Sequence, residues 1–137
     1  MSLALRQSLY STITGGTAVT ALLASNTAVY PADDVPSGSA FDYVMYGLSA
    51  GGPTNDSPHD AENMVYTVQA ISNVSKRRAV AIDDELRAAL HRASLTVTGW
   101  SHYYLARIAE IEYTEVNAEG MEFYHVGAEY RIRLQKS

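Results

Sequence analysis

The stretch Glu122-Phe123-Tyr124-His125-Val126-Gly127-Ala128-Glu129-Tyr130-Arg131-Ile132-Arg133-Leu134 decides the fold class of this chain. Tyr124, Val126, Ala128, Tyr130, Ile132 and Leu134 form one apolar stripe. Against it stand Glu122, His125, Glu129, Arg131 and Arg133. A period of two from Met121 to Leu134 marks a strand with one covered face. Working back, Val116 to Gly120 carries turn chemistry. Trp100 to Glu115 is a second β-rich run, with apolar residues at Tyr104, Ala106 and Ile108 and then at Ile111 and Tyr113. The switch from even to odd positions predicts a bulge near Ala109. Together the arms predict a long antiparallel hairpin. Leu95 to Thr98 reads as a further short strand ending at Gly99.

Upstream, Lys76 to Ala93 has a helical stripe of Ala79, Ile82, Leu86, Ala89, Leu90 and Ala93, with Ser75 as its N-cap. Burial is expected at Ile82, Leu86 and Leu90, and an i,i+4 pair of Asp83 with Arg87 on the outer face. Met64 to Ile71 alternates through Met64, Tyr66, Val68 and Ala70 as a strand does. Phe41 to Leu48 is apolar or aromatic on both faces, the pattern of a central buried strand. Ser49 to Asp60, rich in Gly, Pro and Asp, is expected to be a long loop without regular structure. Val29-Tyr30-Pro31 is a short extended piece before a loop over residues 33–38. Leu5, Leu9 and Ile13, with Ala4, mark a helix from Leu3 to Ile13, capped by Ser2 and stopped by Gly15-Gly16. Thr17 is placed to cap a second short helix, Ala18 to Ala24. The sum is an α+β fold. It has a mostly antiparallel sheet with a long C-terminal hairpin, one amphipathic helix on a face and a short N-terminal helical segment. Residues 1–137 read as a single domain.

Of the 137 residues, 47 % are hydrophobic and 18 % charged, enough apolar material to order a core. With no cysteine, a disulfide scaffold, a thiolate zinc site, an iron–sulfur centre and a thiol nucleophile are excluded. The net charge of -5 argues against a free-standing nucleic-acid binder or a membrane-surface protein. Met1-Ser2-Leu3-Ala4-Leu5-Arg6 lacks the pattern of a targeting signal, and the chain is expected to be soluble and intracellular.

Residues with chemical potential are scattered. His59-Asp60 with Glu62 could ligate a metal or exchange a proton, but such groups in a polar loop are more often solvated surface. His102 and His125 lie on opposing hairpin arms and could be cross-strand neighbours, while His91 reads as a surface residue at a helix end. No nucleophile elbow or phosphate loop is present. Asp83-Asp84-Glu85 reads as a solvated acidic face, because consecutive helical residues diverge by about 100°. Lys76-Arg77-Arg78 sits in the first turn of its helix, where positive charge opposes the dipole, which suggests an acidic partner. Ten tyrosines and one tryptophan against two phenylalanines fit surfaces that are half apolar and half wet, and Tyr103 is a candidate exposed aromatic.

Several segments taken together carry a resemblance: Ala28-Val29-Tyr30-Pro31, Phe41-Asp42-Tyr43-Val44-Met45-Tyr46, Tyr66-Thr67-Val68-Gln69-Ala70-Ile71-Ser72, Ala81-Ile82-Asp83-Asp84-Glu85-Leu86-Arg87-Ala88-Ala89-Leu90 and Phe123 to Leu134. In layout and loose consensus the chain resembles the tail-completion, or tail-terminator, proteins of long-tailed bacteriophages and related prophages. One departure is Ser39-Ala40-Phe41-Asp42, where a proline is expected before the aromatic strand. The resemblance implies a non-enzymatic structural protein without a cofactor. It implies a hexameric ring that caps the tail tube, ends tube polymerisation and offers a surface to the head connector or neck protein. Its partners would be copies of itself, the tail-tube protein and the connector, with DNA only as passing cargo and no membrane. It would be assembled in the host cytoplasm and sit at the head-proximal end of the tail. An acidic lumen would let DNA pass by like-charge repulsion. Candidate partner-facing or lumen-facing residues are Asp56, His59, Asp60, Arg77, Arg78, Tyr103, Glu112, Glu115, Glu119 and Glu122. Competing readings are a head-completion or neck connector protein, a small ligand-binding α+β module, and a hydrolase built on His59, Asp60 and Glu62.

Overall fold

The computed structural model describes residues 3–54 and 61–136. The C-terminal alternation forms strand β5, Glu122–Lys136, whose residues Ala128, Tyr130, Ile132 and Leu134 are all buried. The preceding elements, in chain order, are α1 (Leu3–Thr14), α2 (Thr17–Thr20), β1 (Val29–Pro31), β2 (Tyr43–Thr54), β3 (Ala61–Ser72), α3 (Lys76–Leu90) and β4 (Trp100–Val116). The five strands form one mixed sheet in the order β1-β2-β3-β5-β4. Only β1 and β2 run parallel; the other neighbours are antiparallel. The α+β class, the N-terminal helical segment and the long C-terminal hairpin stand as the sequence predicts.

The core lies between the sheet and the helices. Leu5, Leu9 and Ile13 of α1 and Ile82, Leu86 and Leu90 of α3 meet Tyr66, Val68, Tyr130 and Ile132 of the sheet. Burial on α3 falls on the three expected positions, and the Ser75 hydroxyl accepts from the Arg78 amide at 3.1 Å as a cap. The helix ends at Leu90 rather than Ala93, and Arg92 follows with φ 62°. Gly15 closes α1 by donating to the Ser11 carbonyl at 2.9 Å.

Several expectations are corrected. The helix after Gly16 covers Thr17–Thr20, and its N-cap is Gly16 without a side-chain bond, so Thr17 does not cap it. Leu95 to Thr98 is not a strand; only an isolated bridge joins Val97 to Trp100. Phe41 to Leu48 is not buried on both faces: Val44 and Tyr46 turn into the core while Tyr43 and Met45 stay half-exposed. Ser49 to Thr54, expected in a loop, continues β2, and Ala50 to Thr54 pair with Val65 to Ala61. Composition misleads here because β1 spans three residues and leaves this part of β2 at the sheet edge, where Pro53 displaces no second neighbour. The register shifts between Leu48 and Ala50, and Gly51 takes φ 115° with no room for a Cβ beside Asn63.

The bulge predicted near Ala109 is present between Arg107 and Ala109, but a second shift lies between His102 and Tyr104. Between the two shifts Leu105, 1 % exposed, faces the core opposite Ile132, while Tyr104, Ile108 and Tyr113 stay outside. Asp83 is the largest departure. It is buried rather than on a solvated acidic face with Arg87. Arg107 of β4 donates to it twice, Nη1 to Oδ1 at 3.0 Å and Nη2 to Oδ2 at 2.7 Å, and Nη1 also donates to the Tyr130 hydroxyl at 3.0 Å. The pair clamps α3 to the hairpin.

Candidate assembly surface

The helices cover one face of the sheet and leave the other open. The pairing registers set Tyr43, Ile71, His125 and Tyr113 in one row across the open face, with Met45, Gln69, Gly127 and Ile111 in the next. His125 is buried because Tyr113 stacks on its ring, centroids 4.3 Å apart and planes within 9°. Its Nε2 lies 3.0 Å from Glu115 Oε1, and its Nδ1 3.2 Å from Gln69 Oε1. Phe41 stacks on Phe123 at 5.2 Å past the end of β3, and Tyr43 packs between Phe41 at 5.0 Å and Tyr30 at 5.7 Å. Burial, followed by the Glu115 carboxylate, pushes the Tyr43 and Tyr113 phenols up, so both stay neutral O–H groups. The aromatic end is therefore apolar in body and polar at its tips.

At the other end of the same face, Arg131 is exposed and Arg133 half-buried, with Tyr104 paired to Arg133. Tyr103 is 54 % exposed, and its hydroxyl bonds Gln135. Strand β4 closes the sheet on this side. Its outer edge pairs with no strand among the described residues, and it exposes Tyr103, Tyr104, Ile108, Tyr113 and Val116.

Half of the sequence-derived candidates fall on this hairpin. Tyr103, Glu112, Glu115, Glu119 and Glu122 are all exposed. Glu112 pairs with Lys76, Glu115 with His125, and Glu122 accepts from the Tyr124 hydroxyl at 2.5 Å. Asn117 shapes the turn that carries Glu119, its Oδ1 accepting from the amides of Glu119 at 3.0 Å and Met121 at 2.9 Å. Arg77 and Arg78 are exposed on α3. Within the chain Lys76 pairs with Glu112, and Arg78 pairs with Asp42 and donates to the Leu22 carbonyl. Asp56, His59 and Asp60 lie outside the described residues. Glu62 sits in β3 with its Oε2 buried and unpartnered among the described atoms.

The histidines are not neighbours: His102 pairs with Leu134 and His125 with Tyr113. His91 is half-buried, and its Nδ1 accepts from the Arg107 amide at 3.1 Å. His102 Nδ1 accepts from the Leu95 amide at 3.2 Å. Burial pulls the His102 pKa below the ordinary histidine value of 6.5. A folded-state pKa below the unfolded one favours the fold above pH 6.5, and that contribution fades as pH falls through the lower value. Urea melts should therefore show stability decreasing below about pH 6.5 in the native chain. The decrease should be smaller in His102→Gln, and equal pH slopes in both proteins would contradict it.

Among the described residues no group of His, Cys, Asp and Glu is placed to hold a metal ion, and no helix is long and apolar enough to cross a membrane. The geometry is that of an interaction platform: an open sheet face, a free strand edge and exposed aromatics. Its fold matches a chain of the virion of a native gene transfer agent particle, with a TM-score of 0.79 at 20 % identity over 96 % of this chain and 94 % of that one. A comparison with curated protein sequences found no match. The model of the tail completion protein gp17 family matches residues 7–135, and the chain belongs to that family of structural tail proteins.

Proposed function

We propose that this chain forms a closed hexameric ring on the last layer of tail-tube subunits, where it ends tube growth and offers its other surface to the head connector. The observation that carries the reading is the family match over residues 7–135. Closing a ring needs a head-to-tail contact between two different surfaces of one subunit. The free β4 edge and the open sheet face supply distinct surfaces. A ring whose tube-facing and head-facing sides differ leaves the next tube subunit without a matching surface, and growth stops. On this reading the chain is a single domain without enzymatic activity, and DNA passes through the ring as cargo.

Native mass spectrometry over a range of concentrations is the test. A discrete hexamer is expected; a monomer at every concentration, with and without tail-tube ends present, would remove the ring. Co-purification with tube protein rather than with connector alone separates a tube cap from a neck adaptor. Glu119→Lys, on an exposed turn, should weaken assembly about ten-fold without changing the melt, because charge reversal at an interface rim costs about one such factor. Undiminished assembly would take Glu119 out of the interface.

A further inference from the structure

Charge along the hairpin is sorted by position. From Ala109 to Glu129 the charged residues are Glu110, Glu112, Glu115, Glu119, Glu122 and Glu129, with no Lys or Arg. The flanking lengths, Trp100 to Ile108 and Tyr130 to Lys136, hold Arg107, Arg131, Arg133 and Lys136, with no Asp or Glu. Arg107 is buried against Asp83 and Arg133 is half-buried, so the exposed Arg131 and Lys136 give the basic end its surface charge. At the acidic end, Lys76 is taken by Glu112 and Arg78 by Asp42, which leaves the Glu119–Glu122 tip strongly negative. Along β5, Lys136 stands on the order of 45 Å from Glu122 and Arg131 on the order of 30 Å, so the two charges are well separated on one element. Fold stability does not require this sorting, since surface charges of mixed sign would serve it equally well.

We propose that the basic end of the hairpin, with Arg131 on the open sheet face and Lys136 at the end of β5, flanked by Tyr103 and Tyr104, docks the acidic hairpin tip of a second copy of this chain. The inference rests on the ring reading above and names its contact. Three features favour a second copy as the occupant. The two surfaces are complementary in charge and lie apart along the hairpin, so one can meet the other on a second copy in a head-to-tail contact. The exposed tyrosines beside the arginines give the contact an apolar body with hydrogen-bonding tips. The basic end is also the one cationic patch on the hairpin of a chain with net charge -5, so another copy's acidic tip is an abundant match.

The test is a charge swap. One variant carries Arg131→Glu with Lys136→Glu, and the other carries Glu119→Lys with Glu122→Lys. All four residues are exposed, so each variant should melt like the native chain. Alone, each juxtaposes like charges and should raise the concentration for half-assembly by about 100-fold. Mixed in equal amounts, the variants should regain rings of alternating copies, because every contact again joins opposite signs. Raising salt from about 0.05 to 0.5 M should weaken native and mixed rings alike. If either double variant fails to fold, Arg131→Gln with Lys136→Gln and Glu119→Gln with Glu122→Gln take their places, each expected to weaken assembly by a smaller factor. Single variants that assemble like the native ring would overturn the contact while leaving the ring intact. Singles that fail and are not restored by mixing would overturn the second copy as occupant. A native chain that forms no ring defeats the underlying reading instead, which the unmutated control reveals separately.

Discussion

Asp83→Ala should lower the free energy of unfolding by about 3–5 kcal/mol, the cost of stranding one member of a buried ion pair. The side chains of Asp83 and Arg107 are each only 8 % exposed, and the guanidinium holds both carboxylate oxygens. Without Asp83, Arg107 keeps only the Tyr130 hydroxyl at 3.0 Å and the distant Glu110 carboxylate at 3.5 Å, and its Nε already lacks a partner among the described atoms. It cannot shed its proton to relieve the cost, because an arginine stays charged at any ordinary pH. With the pair intact, the bonds to Asp83 push the Arg107 pKa further up against the opposing effect of burial. Asp83→Leu with Arg107→Met should recover most of the loss, since a packed apolar pair of similar volume often replaces an ion pair at little cost. Urea denaturation followed by circular dichroism reads both values. A loss below about 1 kcal/mol for Asp83→Ala would mean that water reaches the pair and screens it as at a surface. The same substitution should loosen α3 from β4 and so weaken any assembly through the β4 edge.

This clamp also shows where a sequence stops being legible. The stripes of α1, α3 and β5 were readable because each is a local period, and burial follows period. Asp83 satisfied a local rule with Arg87, yet its partner lies 24 residues away on another element. No spacing distinguishes a carboxylate left in water from one that meets an arginine across the core. Ser49 to Thr54 failed for a related reason. Gly and Pro weaken a strand taken alone, but pairing to β3 on one side and a free edge on the other makes them tolerable. In β4 the bulge near Ala109 left a trace in the pattern, whereas the one near His102 left none. Among the candidate surface residues, exposure of Tyr103, Glu112, Glu115, Glu119 and Glu122 was legible because Glu at a strand edge or turn stays wet. The row Tyr43, Ile71, His125 and Tyr113 was not, since it exists only once four strands share a register.

That register is open to direct test through Gly127, which stands beside His125 on the open face. Gly127→Ala should destabilise by about 2–3 kcal/mol and Gly127→Val by more, at the upper end of overpacking costs. A Cβ there would lie 2.2 Å from the Val68 carbonyl oxygen and 2.5 Å from Gln69 Cα. Both are backbone atoms of β3, so relief requires β5 to move away from the strand it pairs with along twelve positions. The strain is purely steric, since Gly127 is not among the glycines with positive φ. Gly52→Ala is the matched control: no described atom lies within 4 Å of its Cβ position, and its φ is not positive. It should be neutral or stabilise by up to about 1 kcal/mol through the unfolded chain. Urea midpoints of the variants, measured side by side, give the comparison. The close approach of β5 to β3 that excludes a Cβ at Gly127 is the same approach that sets Ile71 beside His125 and lets Tyr113 stack over it. If Gly127→Ala cost no more than Gly52→Ala, the two strands could not be this close, and the aromatic end of the open face would lose its geometry with them.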